Sequence, residues 1–282
     1  MHKVKKFLNH IYLGIQSVFE TSVFEIKKQW KKFIAFSLIT VFLILFYKWY
    51  PYILKNDPIS ETLLDFYWSD PMDIALSLTL TGTFFFSGII CSEFVKKTGY
   101  MTFPKIHGYK LLIGKFLGNY VLLLGIITLY YFMLGLLGFY FYGPPLNVRL
   151  LYAYSIALLF IFTLGSFITF FSALMKTESI TIVSSLLLIL IGFPFITVLI
   201  GGLLPDLEPY YSIEYLQRLL YYIYSEDLPL PRKERFTDDF IGENFRTRTW
   251  LTPSISGGIV AMIIYSALCL LGAALLFKRR EL

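Results

Sequence analysis

The chain has 282 residues, 56% of them hydrophobic and 16% charged, with a net charge of +6 and two cysteines. Several apolar runs reach the roughly 20 residues needed to cross a hydrocarbon core, so the composition excludes a soluble globular enzyme and reads as a polytopic membrane protein. Cys91 and Cys269 cannot build a disulfide framework or a zinc knot.

In chain order, residues 7 to 33 place Phe7, Ile11, Ile15, Phe19, Val23, Ile26, Trp30 and Phe33 at steps of three and four, with lysines at both ends of the stripe. That pattern predicts an amphipathic helix over 1–32 lying in the membrane interface before the chain turns into the first span. No small-residue cleavage pattern follows, so the segment reads as retained. The apolar runs then predict six spans, at 33–54, 72–92, 116–142, 150–174, 179–204 and 257–277. Span 1 ends in "YKWYPY", where Trp49, Tyr50 and Tyr52 suit a headgroup zone and Lys48 can snorkel outward. Pro194, after Gly192, predicts a kink or break in span 5.

An even span count puts both termini on one side. That side collects 16 of the 25 basic residues and 5 of the 19 acidic ones, which makes it the cytoplasmic face of a multi-pass protein of the plasma membrane. The basic balance is therefore a topology signal that also suits anionic lipid, and nucleic acid is not implied. The tail 278–282 is basic and cytoplasmic. Residues 205–256 form the one sizeable external segment. It opens with an amphipathic helix carrying Ile213, Leu216, Leu220 and Ile223 and continues as a Pro-punctuated, mixed-charge stretch that reads as an exposed loop. Its carboxylates Asp238, Asp239 and Glu243 lack calcium-loop spacing and read as solvated.

The cytoplasmic stretch 93–115 ends in Gly114-Lys115 and invites a phosphate-loop reading. A Walker A turn needs four residues between its glycines and a hydroxyl after the lysine; here Gly108 and Gly114 enclose five, and Phe116 follows Lys115. The histidines, His2, His10 and His107, all lie outside the spans, so no metalloprotease or serine-histidine pair can be assembled at depth. No catalytic, cofactor-binding or metal-ligating residue is assigned. No ionisable group stands inside a span away from its ends, which argues against an ion-driven carrier and for an energy source on another chain. Hydroxyls at helical spacing do run through the spans: Thr79, Thr83 and Ser87 on span 2, a Thr163 to Ser172 series on span 4, Thr181 and Ser185 on span 5. These, with Pro194, are the candidate translocation surface, helix packing being the competing account.

"SEFVKKTGY", Pro104 and "GYKLLIGKFLG", flanked by two spans, together with the basic lead-in, the enlarged link before span 6 and the closing "LLGAALLFKRREL", resemble the permeases of ABC type-2 exporters. The resemblance covers the whole chain in layout and residues 93–118 and 276–282 in motif, with Lys105, Ile106 and His107 standing where that family often has a Ser-Arg pair. It implies an all-α permease with six transmembrane helices that exports a hydrophobic or amphipathic compound as a homo- or heterodimer. Two separate ATPase subunits, which bind ATP and magnesium, would dock on the 93–115 loop. Glu93, Lys96, Lys97, Thr98, Gly99, Tyr100 and Pro104 would form or brace the coupling element. The competing functions are a non-transporting anchor for a cytoplasmic complex and a membrane-embedded enzyme.

Overall fold

The first helix, α1 (His2–Ile44), continues through a wide π-helical turn at Leu45–Trp49, and it passes residue 33 without a break. The expected turn from an in-plane helix into span 1 is therefore replaced by one continuous helix. Between Ile15 and Tyr50 the sequence has no glycine or proline to interrupt it, and a second long helix supports its flank. This is α5 (Gly108–Tyr142), which runs parallel to α1. Gly114 and Gly118 make their approach possible: a methyl added at Gly118 would lie 2.7 Å from the Ser22 carbonyl oxygen, and one at Gly114 would lie 2.6 Å from Thr21 Cβ. Ser22 Oγ also donates to the Gly114 carbonyl at 2.8 Å. "GKFLG" is thus a Gly-x3-Gly packing face, in which small residues let two backbones meet.

The computed structural model describes residues 2–50, 60, 62–68, 72–95, 108–145, 147–225, 230–241 and 245–281. Five helical stretches in it are long and apolar enough to cross a bilayer: Gly14–Trp49, Gly108–Tyr142, Arg149–Leu174, Glu178–Leu203 and Ile255–Arg280. The chain is an all-α polytopic membrane protein with one small β-hairpin added. The remaining elements are α2 (Leu63–Trp68), α3 (Met72–Phe86), α4 (Cys91–Val95), α6 (Arg149–Leu174), α7 (Glu178–Leu187), α8 (Phe193–Leu203), α9 (Ile213–Gln217), α10 (Leu219–Tyr222), β1 (Phe236–Ile241), β2 (Phe245–Trp250) and α11 (Ile255–Glu281). The predicted span 2 is split between α3 and α4 by a turn at 87–90. At 15 residues, α3 measures about 22 Å against a hydrocarbon thickness of roughly 30 Å. It can be short because it packs on α1, α5, α6 and α7, so protein rather than lipid surrounds its backbone.

Between α7 and α8 the ladder widens to a π turn, Leu188–Gly192, in which the Phe193 N–H bonds to the Leu188 carbonyl five residues back. Pro194 has no N–H to offer, and the wide turn absorbs the defect while the helix carries on to Leu203.

The two ends of the bundle differ. One holds Lys32, Glu93, Lys115, Glu178 and Arg280 and is called the loop end below. The other is covered by the described residues of 205–225, 230–241 and 245–254, which are folded rather than an exposed loop. The amphipathic segment forms two short helices, α9 and α10, whose Ile213, Leu216, Leu220 and Ile223 are buried against the ends of the long helices. Gln217 Nε2 reaches the Ala75 carbonyl on α3 at 3.1 Å. Behind them, β1 and β2 pair antiparallel with Asp238 opposite Arg248, and Arg248 Nε donates to Asp238 at 2.8 Å. Trp250 is buried, its Nε1 donating to the Pro205 carbonyl at 3.3 Å, with Arg232 and Arg235 over its ring. The buried Arg235 guanidinium donates to Glu208 at 2.5 Å. Burial pushes the Arg235 pKa down, but the hydrogen bond and charge of Glu208 outweigh it and leave the group above its ordinary value.

Lys48 does not snorkel. It is 1% exposed and donates to the carbonyls of Phe66 and Tyr67, at 3.0 and 3.5 Å. Burial there gives the carbonyls in the last turn of α2 a charged donor. The basic tail is likewise the last turn of α11, where Arg280 donates to the Leu174 and Met175 carbonyls that end α6.

Candidate functional site

The polar junction at the loop end begins with a sequence that cannot keep an α-helical ladder. In "FFSGIICSE" a Ser-Gly pair sits mid-run, a combination that marks helix breaks. The hydroxyl and thiol that follow then bond back to the chain: Cys91 Sγ reaches the Ser87 carbonyl at 3.1 Å and Ser92 Oγ the Gly88 carbonyl. At the turn, Ile89 N–H bonds to Phe86 and Glu93 N–H to Ile90, each three residues back instead of four.

Groups from three other helices hold this break. Ser172 Oγ, buried on α6, accepts from the Ile90 and Cys91 N–H groups, both at 3.1 Å. From α5, the buried Lys115 ammonium pairs with the Glu93 carboxylate on α4 and also donates to the Ile89 carbonyl at 3.3 Å. Thr181 Oγ1, on α7, lies 3.8 Å from Cys91 Sγ. Around this junction, Glu178 takes Lys32 of α1 at 3.0 Å, and Arg280 places its guanidinium 5.5 Å from the Phe94 ring of α4. A buried charge is stable only when paired and hydrogen-bonded, and Lys115 and Glu93 meet that requirement through each other and the Ile89 carbonyl.

The expected coupling residues divide accordingly. Glu93 lies in the junction; Lys96, Lys97, Thr98, Gly99, Tyr100 and Pro104 lie outside the described residues. Of the expected translocation residues, Thr79 and Thr83 on α3, Ser87 in the turn after it, and Thr181 and Ser185 on α7 are all at 2% exposure or less, and α3 packs against α7. Thr83 Oγ1 is turned back to the Thr79 carbonyl at 2.6 Å. The stripe is closed in this conformation, as helix packing requires. Pro194 lies nine residues beyond Ser185, at the start of α8.

Three residues of the junction are not singled out by sequence spacing. Lys115 reads as one of five loop lysines, Ser172 as one of a hydroxyl series, and Asn119 carries no motif. Asn119 lies one turn beyond Lys115 on α5, buried, with both amide atoms unpartnered; the hydroxyls of Ser87 and Ser185 are likewise buried without a partner. No family model matches this sequence, and no curated protein does.

Proposed function

We propose that this chain is the permease subunit of an ABC type-2 exporter, paired with a second permease chain and driven by two ATPase subunits that bind ATP and magnesium and dock on residues 93–107. The observation that carries the reading is the Lys115 to Glu93 pair. It closes the base of the loop, so a displacement of the loop enters α4 and α5 together instead of being lost in a slack connection. Lys32 with Glu178 and Arg280 with the end of α6 tie α1, α7 and α11 to the same level.

In this reading the short α3, continued by α4, supplies a sixth crossing, and both termini face the cytoplasm at the plasma membrane, as the skewed lysine distribution requires. The hydroxyl stripe, closed here, opens toward a hydrophobic or amphipathic substrate in another state of the cycle. Affinity capture of the tagged full chain tests the assignment: an ATPase should co-purify, and Glu93→Lys should release or uncouple it. Robust ATP hydrolysis by the isolated chain, or intact coupling after deletion of 96–104, contradicts it. Orientation is tested separately by thiol labelling in sealed cells, where Lys27→Cys and Lys105→Cys should resist an impermeant reagent that labels Asp239→Cys.

A further inference from the structure

We infer that the turn at Ser87–Ile90 is a two-setting helix break, held in its broken setting by two positioning residues, Lys115 and Ser172. The argument is an inventory of hydrogen bonds. In a continuous α-helix through 87–93, the N–H groups of Ile90, Cys91 and Glu93 would bond to the carbonyls of Phe86, Ser87 and Ile89, four residues back. In the structure, Ser172 Oγ takes the first two N–H groups and Lys115 takes the Ile89 carbonyl. Lys115 and Ser172 therefore occupy the groups that a closed ladder needs.

Closing the ladder forfeits little. The two N–H groups exchange Ser172 for backbone carbonyls, and Glu93 N–H exchanges the Ile90 carbonyl for that of Ile89. Lys115 keeps Glu93 and gives up Ile89, while Asn119 Oδ1, buried and unpartnered one turn along α5, would be the acceptor it gains in exchange. An element whose polar groups find partners in both arrangements is bistable, which is the property a switch requires. Tightening a four-residue turn toward the α-helical rise also draws Glu93 toward the bundle by roughly 2 Å. The inference rests on the permease reading only for what pulls the loop.

The test uses the full chain in membranes and does not involve transport or an ATPase, so it stands or fails separately from that reading. Cys91 is one of two cysteines; with Cys269→Ser and Thr181→Cys, positions 91 and 181 carry the only thiols, on atoms that lie 3.8 Å apart in the native pair. Copper-phenanthroline oxidation should link them quickly in this background, read by mass spectrometry of the joined peptides. Ser172→Ala and Lys115→Met should each slow the linkage by roughly 10-fold as the ladder closes and Cys91 turns away. Lys115→Arg, which keeps the cation, should retain it, as should Ser166→Ala, an equally buried hydroxyl on α6 that bonds only within its own helix. Unchanged linkage in both Ser172→Ala and Lys115→Met overturns the inference. Hydrogen exchange of the unmodified chain provides a second reading independent of any variant: residues 87–91 should exchange faster than 78–86, and uniform protection from 78 to 95 would equally overturn it.

Discussion

Lys48 and Phe66 are joined by an ammonium-to-carbonyl hydrogen bond of 3.0 Å, buried where α1 ends and α2 ends beside it. A lysine removed from water at that depth acts as a helix cap borrowed from a neighbouring helix. Lys48→Met keeps the apolar stem and removes the donor, so the Phe66 and Tyr67 carbonyls lose a charged partner. Thermal unfolding of the purified chain should show a loss of about 1–3 kcal/mol; an unchanged melting temperature would mean that the carbonyls find replacement partners.

The parallel seam of α1 and α5 gives a second expectation. Gly118→Val drives a branched side chain into the Ser22 carbonyl, 2.7 Å from the added Cβ, and backbone cannot swing aside as a side chain can. Overpacking of this kind costs about 1–3 kcal/mol or more. Leu117→Val, one residue away on the outward face, should be nearly neutral. Similar melting temperatures for the two variants would show that the seam is loose.

The folded cap can be tested at its buried ion pair. Arg235→Met leaves the half-buried Glu208 carboxylate beside Tyr215 with its principal partner gone, at a cost of about 2–4 kcal/mol. Limited proteolysis should then cut within 230–250, while the long helices stay intact. The double variant Arg235→Met with Glu208→Leu should recover most of the protection, because no lone charge remains.

Alkaline pH should open the same cap. Burial, reinforced by the Glu208 charge, holds the Tyr215 phenol well above its ordinary range, and burial pushes Tyr221 up to about 12. A phenol whose pKa is raised by folding contributes stability that is complete below its unfolded value of about 10 and is lost as pH rises beyond it. Ultraviolet titration should therefore show phenols that ionise only together with loss of protease protection in the cap. Tyr215→Phe should reduce the amplitude of that late step; ionisation of every tyrosine near pH 10 with the cap intact would contradict it.

The long apolar runs were legible from sequence because lipid and core make the same demand of them. Spans read at 116–142, 150–174, 179–204 and 257–277 correspond to helices Gly108–Tyr142, Arg149–Leu174, Glu178–Leu203 and Ile255–Glu281. What periodicity cannot report is a bond made by an element distant in sequence. Ser172 reads the same whether its hydroxyl turns back on its own helix or, as here, takes two N–H groups from residues some eighty positions earlier. The break at 87–90 had a local signal in Ser87-Gly88, but the hydroxyl stripe through the same residues reads as one uninterrupted face. The hairpin also had one: Gly242 and Asn244 lie between two runs of alternating character, with Asp238 and Arg248 in cross-strand register. Its high charge reads as solvation, whereas Arg248 pairs with Asp206 and Asp238, and Arg235 just before the hairpin pairs with Glu208.

The glycine seam has a mechanical consequence. With 35 residues, α5 is about 52 Å long, against a hydrocarbon thickness of roughly 30 Å. Joined to α1 along Gly114 and Gly118, its loop-end portion belongs to a stiff two-helix lever instead of a single helix free to fray. Rocking such a rod by about 10° around its own middle carries a tip roughly 26 Å away through about 4.5 Å, most of one helical turn.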